Sequence, residues 1–456
     1  MLPKQLSPRK KGESPCTQVK IAHALSFVCA VLFAAFSQTA AANTLCVTPR
    51  GSELCYAKIQ LAVNAASNND QINVAPGTYK EDVVIGKPLS LIGAGAGLSI
   101  IDATGLANGI LLDGYDNPGL KTVTVAGFTV KNALYEGILV VNTSDATVLN
   151  NRVVNNDKEG PVFGSGPACN GQPAYETDES GDCGGAIHLL GAVNTTVEGN
   201  FMTGNADGVL ISDDTAASFN NVIVNNIVTN NPLDCGIVLA SHAPAGSTPP
   251  HYAPHYGVFN NTVANNVSNA NGVEVGGAGV GLFSDGNGPG RTSGNVIVRN
   301  RLTNNGLPGV ALHTHVGPAF GAPADNMDGN VIIGNFISGN GADTGDTATP
   351  GTTGININSG GGGSPVRGTV ISQNVIQNEQ VDIAVNTPAE LNAHFNDLLG
   401  GNVGMANVCA LDSAACTGRI DATENYWGCP AGPGSGGCTT TSGSNISFTP
   451  WLKSQE

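Results

Sequence analysis

Short runs of apolar residues, interrupted by single small or polar residues, recur along most of this chain. From about Asp82 onward, each unit opens with a Gly-apolar-x-apolar strand, continues through a loop into a second strand and ends at an Asn-rich turn. The openings lie at residues 109–112, 137–140, 186–189, 208–211, 236–239, 279–282, 309–312 and 354–357. Alternation places the first and third apolar residues on the inner face and the second on the outer face. Repeats of about 22–40 residues built from short strands are typical of a solenoid.

The turns of this repeat carry Asn at positions 150–151, 225–226, 265–266, 300, 335 and 374. Asn tolerates a left-handed backbone, and stacked carboxamides can hydrogen-bond from coil to coil. The 62 Gly residues among 456 disfavour long helices, while an apolar share of 41 % argues against disorder. A net charge of −16 excludes nucleic acid as a partner.

The amino terminus has the pattern of a secretory signal. Residues 1–20 are basic, Ile21–Phe36 is apolar, and Ala40-Ala41-Ala42 fits an A-x-A cleavage site. The alternative is an uncleaved membrane anchor, for which the apolar run is short. We therefore expect residues 1–42 to be removed and the protein to be secreted or periplasmic, with no membrane insertion afterwards.

The cysteines that follow this signal fall into close couples, as in proteins of oxidising compartments. The couples are Cys46/Cys55, Cys169/Cys183, Cys409/Cys416 and Cys429/Cys438. Cys235 is left over inside a strand pattern and is expected to be a buried thiol. A zinc site is the competing interpretation, but the chain has no Cys-x-x-Cys.

Both ends of the repeat resemble a known family. The segment from Cys46 to Cys55, residues 59–63 (IQLAV) and residues 72–79 (INVAPGTY) are similar to the amino-terminal cap and first coil of right-handed parallel β-helices of the pectin-lyase-like superfamily, in its bacterial secreted branch. Residues 420–428 (IDATENYWG) resemble the closing coil of that branch. The resemblance covers about residues 43–452.

This resemblance implies an all-β protein, a single-stranded right-handed parallel β-helix (solenoid) with an N-terminal cap helix and a disulfide-rich C-terminal cap. The predicted domains are the signal peptide at 1–42, the β-helix with its cap at 43–386 and a C-terminal capping segment at 387–456.

The catalytic signatures of the superfamily are mostly missing. Polygalacturonases carry paired aspartates, Gly-His-Gly and Arg-x-Lys; this chain has Asp213-Asp214 and Ser241-His242-Ala243, but no Arg-x-Lys after residue 42. The Asp-Pro-His of alginate epimerases is absent. Residues 159–290 contain twelve Asp/Glu and neither Lys nor Arg, whereas pectate lyases use a basic residue in the cleft. A polyanionic substrate would therefore have to be held through calcium.

Aligning the openings on their Gly brings polar residues of successive coils into register. Position six gives Asp214, His242, Asp285 and His315, and position four gives Ser212, Ala240, Phe283, His313 and Asn358. Adjacent coils lie about 4.8 Å apart, so Asp and His alternate as neighbours on the outer face. Long insertions on both sides suggest a cleft. The predicted catalytic residues are Asp214, His242, Asp285, His313 and His315; the predicted substrate-binding residues are Asp213, His188, Phe283, Tyr252 and Tyr256.

Three interpretations of this polar row remain open. In a hydrolytic site, Asp214 and Asp285, about 9.6 Å apart at the backbone, would act as acid and base near the upper end of the window for inverting glycosidases. In a metal site, His313 and His315 would converge on one ion with a neighbouring Asp. In the third interpretation, the Asp and His side chains only satisfy turn backbone. The metal is unknown.

The sequence thus predicts a carbohydrate-active protein whose partner is a polysaccharide or other glycan, and which cleaves it as a hydrolase with paired Asp. That reaction requires no cofactor. One alternative is a non-enzymatic glycan-binding or surface protein. The other is a lyase or epimerase that depends on calcium. The sugar and its linkage do not follow from the sequence.

Overall fold

The computed structural model describes residues 42–455 except 158–172, 174, 176–183, 242–255, 285–289, 315–324, 346–348, 359–364 and 409–416. In these residues the chain is almost entirely β-structure, with one short helix, α1 (Ile59–Ala65). The all-β prediction is confirmed.

The strands, numbered in chain order, are β1 (Thr44–Val47), β2 (Cys55–Tyr56), β3 (Asp70–Val74), β4 (Gly77–Tyr79), β5 (Val83–Ile85), β6 (Leu89–Gly93), β7 (Ser99–Asp102), β8 (Ile110–Asp113), β9 (Thr124–Ala126), β10 (Phe128–Lys131), β11 (Ile138–Val141), β12 (Thr147–Leu149), β13 (Arg152–Val154), β14 (Ile187–Leu190), β15 (Thr196–Glu198), β16 (Phe201–Thr203), β17 (Val209–Ser212), β18 (Ser218–Phe219), β19 (Val222–Val224), β20 (Ile227–Thr229), β21 (Ile237–Ser241), β22 (Val258–Phe259), β23 (Thr262–Ala264), β24 (Val267–Asn269), β25 (Val280–Ser284), β26 (Thr292–Ser293), β27 (Val296–Val298), β28 (Arg301–Thr303), β29 (Val310–Thr314), β30 (Val331–Ile333), β31 (Phe336–Ser338), β32 (Thr353–Asn358), β33 (Val366–Ser372), β34 (Val375–Gln377), β35 (Val381–Asn386), β36 (Ala389–His394), β37 (Asp397–Leu399), β38 (Val403–Asn407), β39 (Arg419–Asp421), β40 (Thr440–Ser442) and β41 (Ile446–Ser447).

These strands form three long parallel sheets, through which the chain passes in turn once per coil. Sheet A contains β2, β1, β3, β6, β9, β12, β15, β19, β23, β27, β30, β33, β36, β39 and β41, in that order. Sheet B runs from β4 to β37 through β7, β10, β13, β16, β20, β24, β28, β31 and β34. Sheet C runs from β5 to β40 through β8, β11, β14, β17, β21, β25, β29, β32, β35 and β38. A short fourth sheet, sheet D, joins β18, β22 and β26. This is the parallel β-helix that the repeat predicts.

Alternation along the strands fills the interior with stacked aliphatic columns. In sheet C, the first residues of the aligned openings pair directly and are fully buried: Val209, Ile237, Val280, Val310 and Ile355. The Gly that starts these openings, replaced by Ala186 in the opening at 186–189, allows close approach to sheet B. A Cβ on Gly309 would lie 2.5 Å from Cγ2 of Ile337. The core is thus continuous from coil to coil, as parallel sheets require.

Rows of buried Asn side chains line the turns between sheets. In each row the Oδ1 of one Asn accepts hydrogen bonds from both the backbone N–H and the Nδ2 of the Asn one coil earlier. Between Asn200 and Asn226 these distances are 2.9 and 3.1 Å. The row between sheets A and B contains Asn151, Asn200, Asn226, Asn266, Asn300, Asn335, Asn374, Asn396 and Asn425. The stacked amides that the sequence predicts are therefore present.

Each Asn-Asn doublet divides two tasks between its members. In the doublet at residues 225–226, the exposed Asn225 has the left-handed backbone (φ 58°) that the turn needs. The buried Asn226 carries the row of amides. Asn is the best non-glycine residue for the first task, and its amide alone supplies both donors and acceptor for the second.

The ends of the body are closed as predicted. The cap helix α1 has no cap of its own, so the Glu81 carboxylate accepts the N–H groups of Ile59 and Gln60, each at 2.9 Å. The Cys46–Cys55 and Cys429–Cys438 disulfides are formed, and Cys235 is a buried free thiol. The Cys169/Cys183 and Cys409/Cys416 couples lie outside the described residues. The domain boundary at residue 386 stays a prediction; parallel pairing itself continues through β41.

Candidate functional site

The outer face of sheet C carries the residues that the sequence analysis selected. The predicted register holds, because Ser212 pairs with Ala240, Ala240 with Phe283, and Phe283 with His313. In each strand the residue just before belongs to the buried core. The side chains of these four residues therefore point to the outer face. Asn358 ends β32 one coil later.

A chain of three polar side chains crosses this face. His188, on β14, lies 2.8 Å through Nε2 from Oγ of Ser212 and 3.4 Å through Nδ1 from Oε1 of Glu136. All three residues have no exposed surface. A buried imidazole between a hydroxyl and a carboxylate is fixed in orientation. The His188 side chain is therefore buried and held by two polar contacts, and it does not lie on the surface.

The paired aspartates follow directly on Ser212. The Asp213 carboxylate accepts a hydrogen bond from the Ser241 hydroxyl at 2.9 Å, and Ser241 Oγ accepts one from the Arg291 backbone N–H at 3.0 Å. These hydrogen bonds connect Asp213, which follows β17, through Ser241 to the segment before β26. Asp214 is buried, with 3 % of its surface exposed. Both aspartates thus follow Ser212 directly along the chain and are buried.

An apolar patch separates this polar chain from His313. Leu210, Val238, Ala240 and Ala311 pack together outside the sheet, and the half-buried Phe283 covers them. The Phe283 ring leans over Gly281, where a Cβ would lie 2.4 Å from the ring atoms. It contacts the buried His313 ring with centroids 4.4 Å apart. Tyr256 is half-buried just before β22. Packing therefore accounts for the position of Phe283.

Four of the predicted site residues, His242, Asp285, His315 and Tyr252, lie outside the described residues. The separation of the Asp214 and Asp285 carboxyls and the convergence of His313 and His315 thus stay predictions. In the part of the chain that the structure describes, no group of three or more His, Cys, Asp or Glu could hold a metal ion. The same residues contain no helix long and apolar enough to cross a membrane.

Two buried carboxyls that were not predicted from the sequence lie in the turn before β35 and on β35 itself, Glu379 and Asp382. Burial raises the pKa of Glu379 to about 7, although hydrogen bonds from Asn340 lower it. Burial also raises the pKa of Asp382 well above its usual range; a hydrogen bond from Gly400 opposes this and the charge of Glu379 adds to it. The repeat could have revealed both residues. Glu379 occupies the position that Asn340 occupies one coil earlier, and Asp382 occupies the position of the opening Gly354.

A groove of about 430 Å³ lies beside these two carboxyls, on the last coils of the outer face. Gln380, Asn402 and Asn407 supply polar groups to its lining, and Val403 and Ala406 supply apolar ones. Asn356 pairs with Ala384, and Ala384 pairs with Ala406 in the groove lining. The buried side-chain amide of Asn356 has no hydrogen-bond partner. Unsatisfied buried amides are rare in native proteins. Two carboxyls with raised pKa values, Glu379 and Asp382, thus flank Gln380 and Val381 in the lining of this groove.

Fold and register together define a parallel β-helix protein. Residues 105–249 match the family model described as "Right handed beta helix region". Among solved structures, the catalytic domain of a GH87 alpha-1,3-glucanase variant in complex with tetrasaccharides is similar at 13 % identity, covering 89 % of this chain and 68 % of that chain, with a TM-score of 0.57. The Dettilon tailspike protein matches at 13 % identity over 88 % of this chain and 68 % of its own, with a TM-score of 0.53. No characterised protein matches the sequence itself. At these identities the likeness concerns the fold.

Proposed function

We propose that this protein is an exported enzyme that binds a polysaccharide along the outer face of sheet C and hydrolyses it with carboxyl groups. The observation that carries the proposal is the buried polar chain of Glu136, His188 and Ser212, whose last member directly precedes the buried Asp213 and Asp214 in the sequence. Ionisable groups are costly to bury, and their clustering on one face is typical of functional sites. The likeness to the glucanase domain, whose structure contains tetrasaccharides, supports a glycan as the ligand on this fold.

In the proposed reaction, one carboxyl group protonates the glycosidic oxygen while another activates a water molecule. Asp214 and Asp285 take these roles, and His242 assists both through its charge. His313 and His315 complete the proposed catalytic residues. Asp213, His188, Phe283, Tyr252 and Tyr256 position the sugar chain. Export is supported by the two disulfides at the ends of the body, since such bonds persist in oxidising compartments.

The test uses purified residues 43–456 on a panel of neutral and acidic polysaccharides, with and without a chelator. New reducing ends and the ultraviolet absorbance of unsaturated products are measured together. Reducing ends without unsaturation are expected. Unsaturated products that disappear with the chelator would replace the hydrolase by a calcium-dependent lyase, and no product on any substrate would favour the binding protein.

Two variants locate the reaction. Asp214→Asn and Asp285→Asn each remove one carboxylate and are expected to lower kcat by at least about 100-fold. The matched control is Asp145→Asn, because Asp145 is exposed and its left-handed backbone (φ 53°) suits Asn. If Asp285→Asn retains full activity, the carboxylate assignment is wrong.

A further inference from the structure

A second groove lies on the outer face of sheet A, across its last coils. It measures about 730 Å³, and its lining includes Glu390, Asn392, Arg419, Asp421 and Ser447. These residues come from β36, β39 and β41, not from sheet C. The groove is therefore distinct from the proposed cleavage site.

The register explains how the polar groups come together. Arg367, Glu390 and Arg419 pair in succession, which places alternating charges one coil apart, about 4.8 Å. In the neighbouring column, Asn392 pairs with Asp421 and Asp421 with Ser447. The two columns form a small grid of guanidinium, carboxylate, amide and hydroxyl groups facing one hollow.

The outer face of sheet A changes character at this groove. In the four preceding coils, the column that leads to Asn392 consists of Thr262, Val296, Val331 and Val370. Aliphatic groups give way to Asn, Asp and Ser where the surface becomes concave. Ligand-binding sites combine a concave surface with a few converging polar groups, and the last coils of sheet A have both.

A β-bulge shapes the edge of the groove. The pairing of β33 with β36 shifts between Arg367 and Thr369, so that Gly368 is the extra residue. Gly368 has a left-handed backbone (φ 66°) and belongs to the groove lining. Such bulges bend a strand and are over-represented beside functional sites.

One polar contact is already fixed at the rim. Nε2 of His394 lies 3.2 Å from Oδ1 of Asp421, and Thr423 donates to the same oxygen from its hydroxyl at 2.8 Å. Some 47 % of the Asp421 side chain remains exposed, so its second oxygen is open to a ligand. Asp421 is therefore pre-oriented to accept hydrogen bonds from outside.

We propose that this groove binds a strand of neutral polysaccharide, independently of cleavage on sheet C. Sugar hydroxyls both donate and accept, which matches guanidinium donors, carboxylate acceptors and an amide that does both. The Glu390 and Asp421 carboxylates disfavour a polyanion, and so does the net charge of −16; Arg419 at the centre disfavours a polycation. The ligand class is thus an uncharged glycan.

Calorimetry on the full chain from residue 43 tests this site, with Asp214→Asn as the background so that no probe is hydrolysed. The probes are oligosaccharides from dextran, xylan, galactan and β-glucan, with an oligouronate and an oligolysine as charged comparisons. At least one neutral probe is expected to bind. Glu390→Ala and Arg419→Ala should each weaken it about tenfold or more.

Two further variants keep the result decisive. Ser447→Trp fills the groove from an exposed position and should remove one binding site per chain even if the charged residues are intact, leaving only binding on sheet C. Glu198→Ala is the matched control, because Glu198 lies on the same face of sheet A in the column that leads to His394; it should change nothing. The proposal is overturned if no neutral probe binds, if oligolysine or oligouronate binds instead, or if all three groove variants leave the affinity and the number of bound probes per chain unchanged.

Discussion

Rows of buried Asn run along this protein, and the two longest among the described residues end differently. A third, shorter row consists of Asn221, Asn261, Asn295 and Asn330. The row between sheets A and B consists of nine Asn and ends at Asn425, whose Nδ2 donates to the carbonyls of Ala393 and Ala422 at 2.6 and 2.8 Å. The row between sheets B and C contains Asn156, Asn205, Asn231, Asn271, Asn305 and Asn340 and ends at Glu379. One row is closed by an amide and the other by a carboxyl.

The difference shows what the repeat demands of a side chain. Glu379 Oε1 accepts from the N–H and Nδ2 of Asn340 at 2.8 and 3.1 Å, as the Oδ1 of an Asn would. A carboxylate cannot donate onward, so the row stops there. Its second oxygen is buried without a hydrogen-bond partner. Since burial disfavours the charge, the pKa of Glu379 rises to about 7. The first row is pure structure, and the second ends in a titrating group beside the 430 Å³ groove.

The largest effect is expected from interrupting the all-amide row. Asn266→Ala removes the acceptor for both the N–H and the Nδ2 of Asn226, and leaves two buried donors unsatisfied. At about 1–3 kcal/mol per orphaned group, unfolding in urea should show a loss of about 4 kcal/mol. Asn392→Ala, an exposed Asn on sheet A, is the control and should cost less than about 0.5 kcal/mol. Equal losses would mean that the row contributes nothing special.

A carboxyl placed inside the all-amide row should make it resemble the second row. Asn374→Asp keeps the acceptor for Asn335 but loses the Nδ2 donations to Asn396 and to the Ile332 carbonyl. Burial would raise the pKa of the new carboxyl, so the loss of stability should be about 3 kcal/mol at pH 8 and smaller at pH 5. Urea unfolding at the two pH values measures it. A loss independent of pH would show that the charge is not the cause.

Removing the carboxyl from the second row should act in the opposite direction. The raised pKa means that the folded state holds a proton that the unfolded state has lost. This stabilisation is complete below about pH 4.5 and disappears as pH rises through about 7. Glu379→Gln keeps the acceptor for Asn340 and should gain on the order of 2 kcal/mol at pH 8 over the unmodified chain. At pH 4 the two proteins should be nearly equal. A gain of the same size at both pH values would contradict the titration.

The sequence predicted the fold well because the fold is periodic. Each coil repeats the same inner column and the same Asn corner, so a local pattern such as that of residues 236–239 is confirmed by its neighbours. The register that pairs Ala240 with Phe283 follows from this alignment alone. A one-residue slip would have turned the core outward, and the hydrophobic pattern excludes it.

The site was less predictable because it consists of exceptions to the period. Glu136 lies in the turn before β11, outside the strands. It contacts His188 on the neighbouring coil only because β11 pairs with β14 in the folded structure. The burial of His188 and Asp214, on a face expected to meet solvent, depends on neighbours that no alternation rule describes. Glu379 and Asp382 were in principle visible, as a carboxyl in an Asn row and a side chain in a Gly position. Departures from a repeat are therefore the better guide to function in such a chain.

The smallest effect concerns the other member of each Asn doublet. Asn225 precedes Asn226, is exposed and has a φ of 58°, and its backbone N–H donates to the Ala264 carbonyl. Asn225→Gly should change the free energy of unfolding by less than about 0.5 kcal/mol, because Gly adopts the same backbone freely. Asn225→Ala should cost about 1 kcal/mol, because Ala lacks the short polar side chain that makes the left-handed conformation accessible to Asn. Urea unfolding of both variants beside Asn226→Ala measures the division of labour within one doublet. If Asn225→Gly costs as much as Asn226→Ala, the exposed Asn contributes through its side chain as much as the buried Asn does, and the proposed division of labour is wrong.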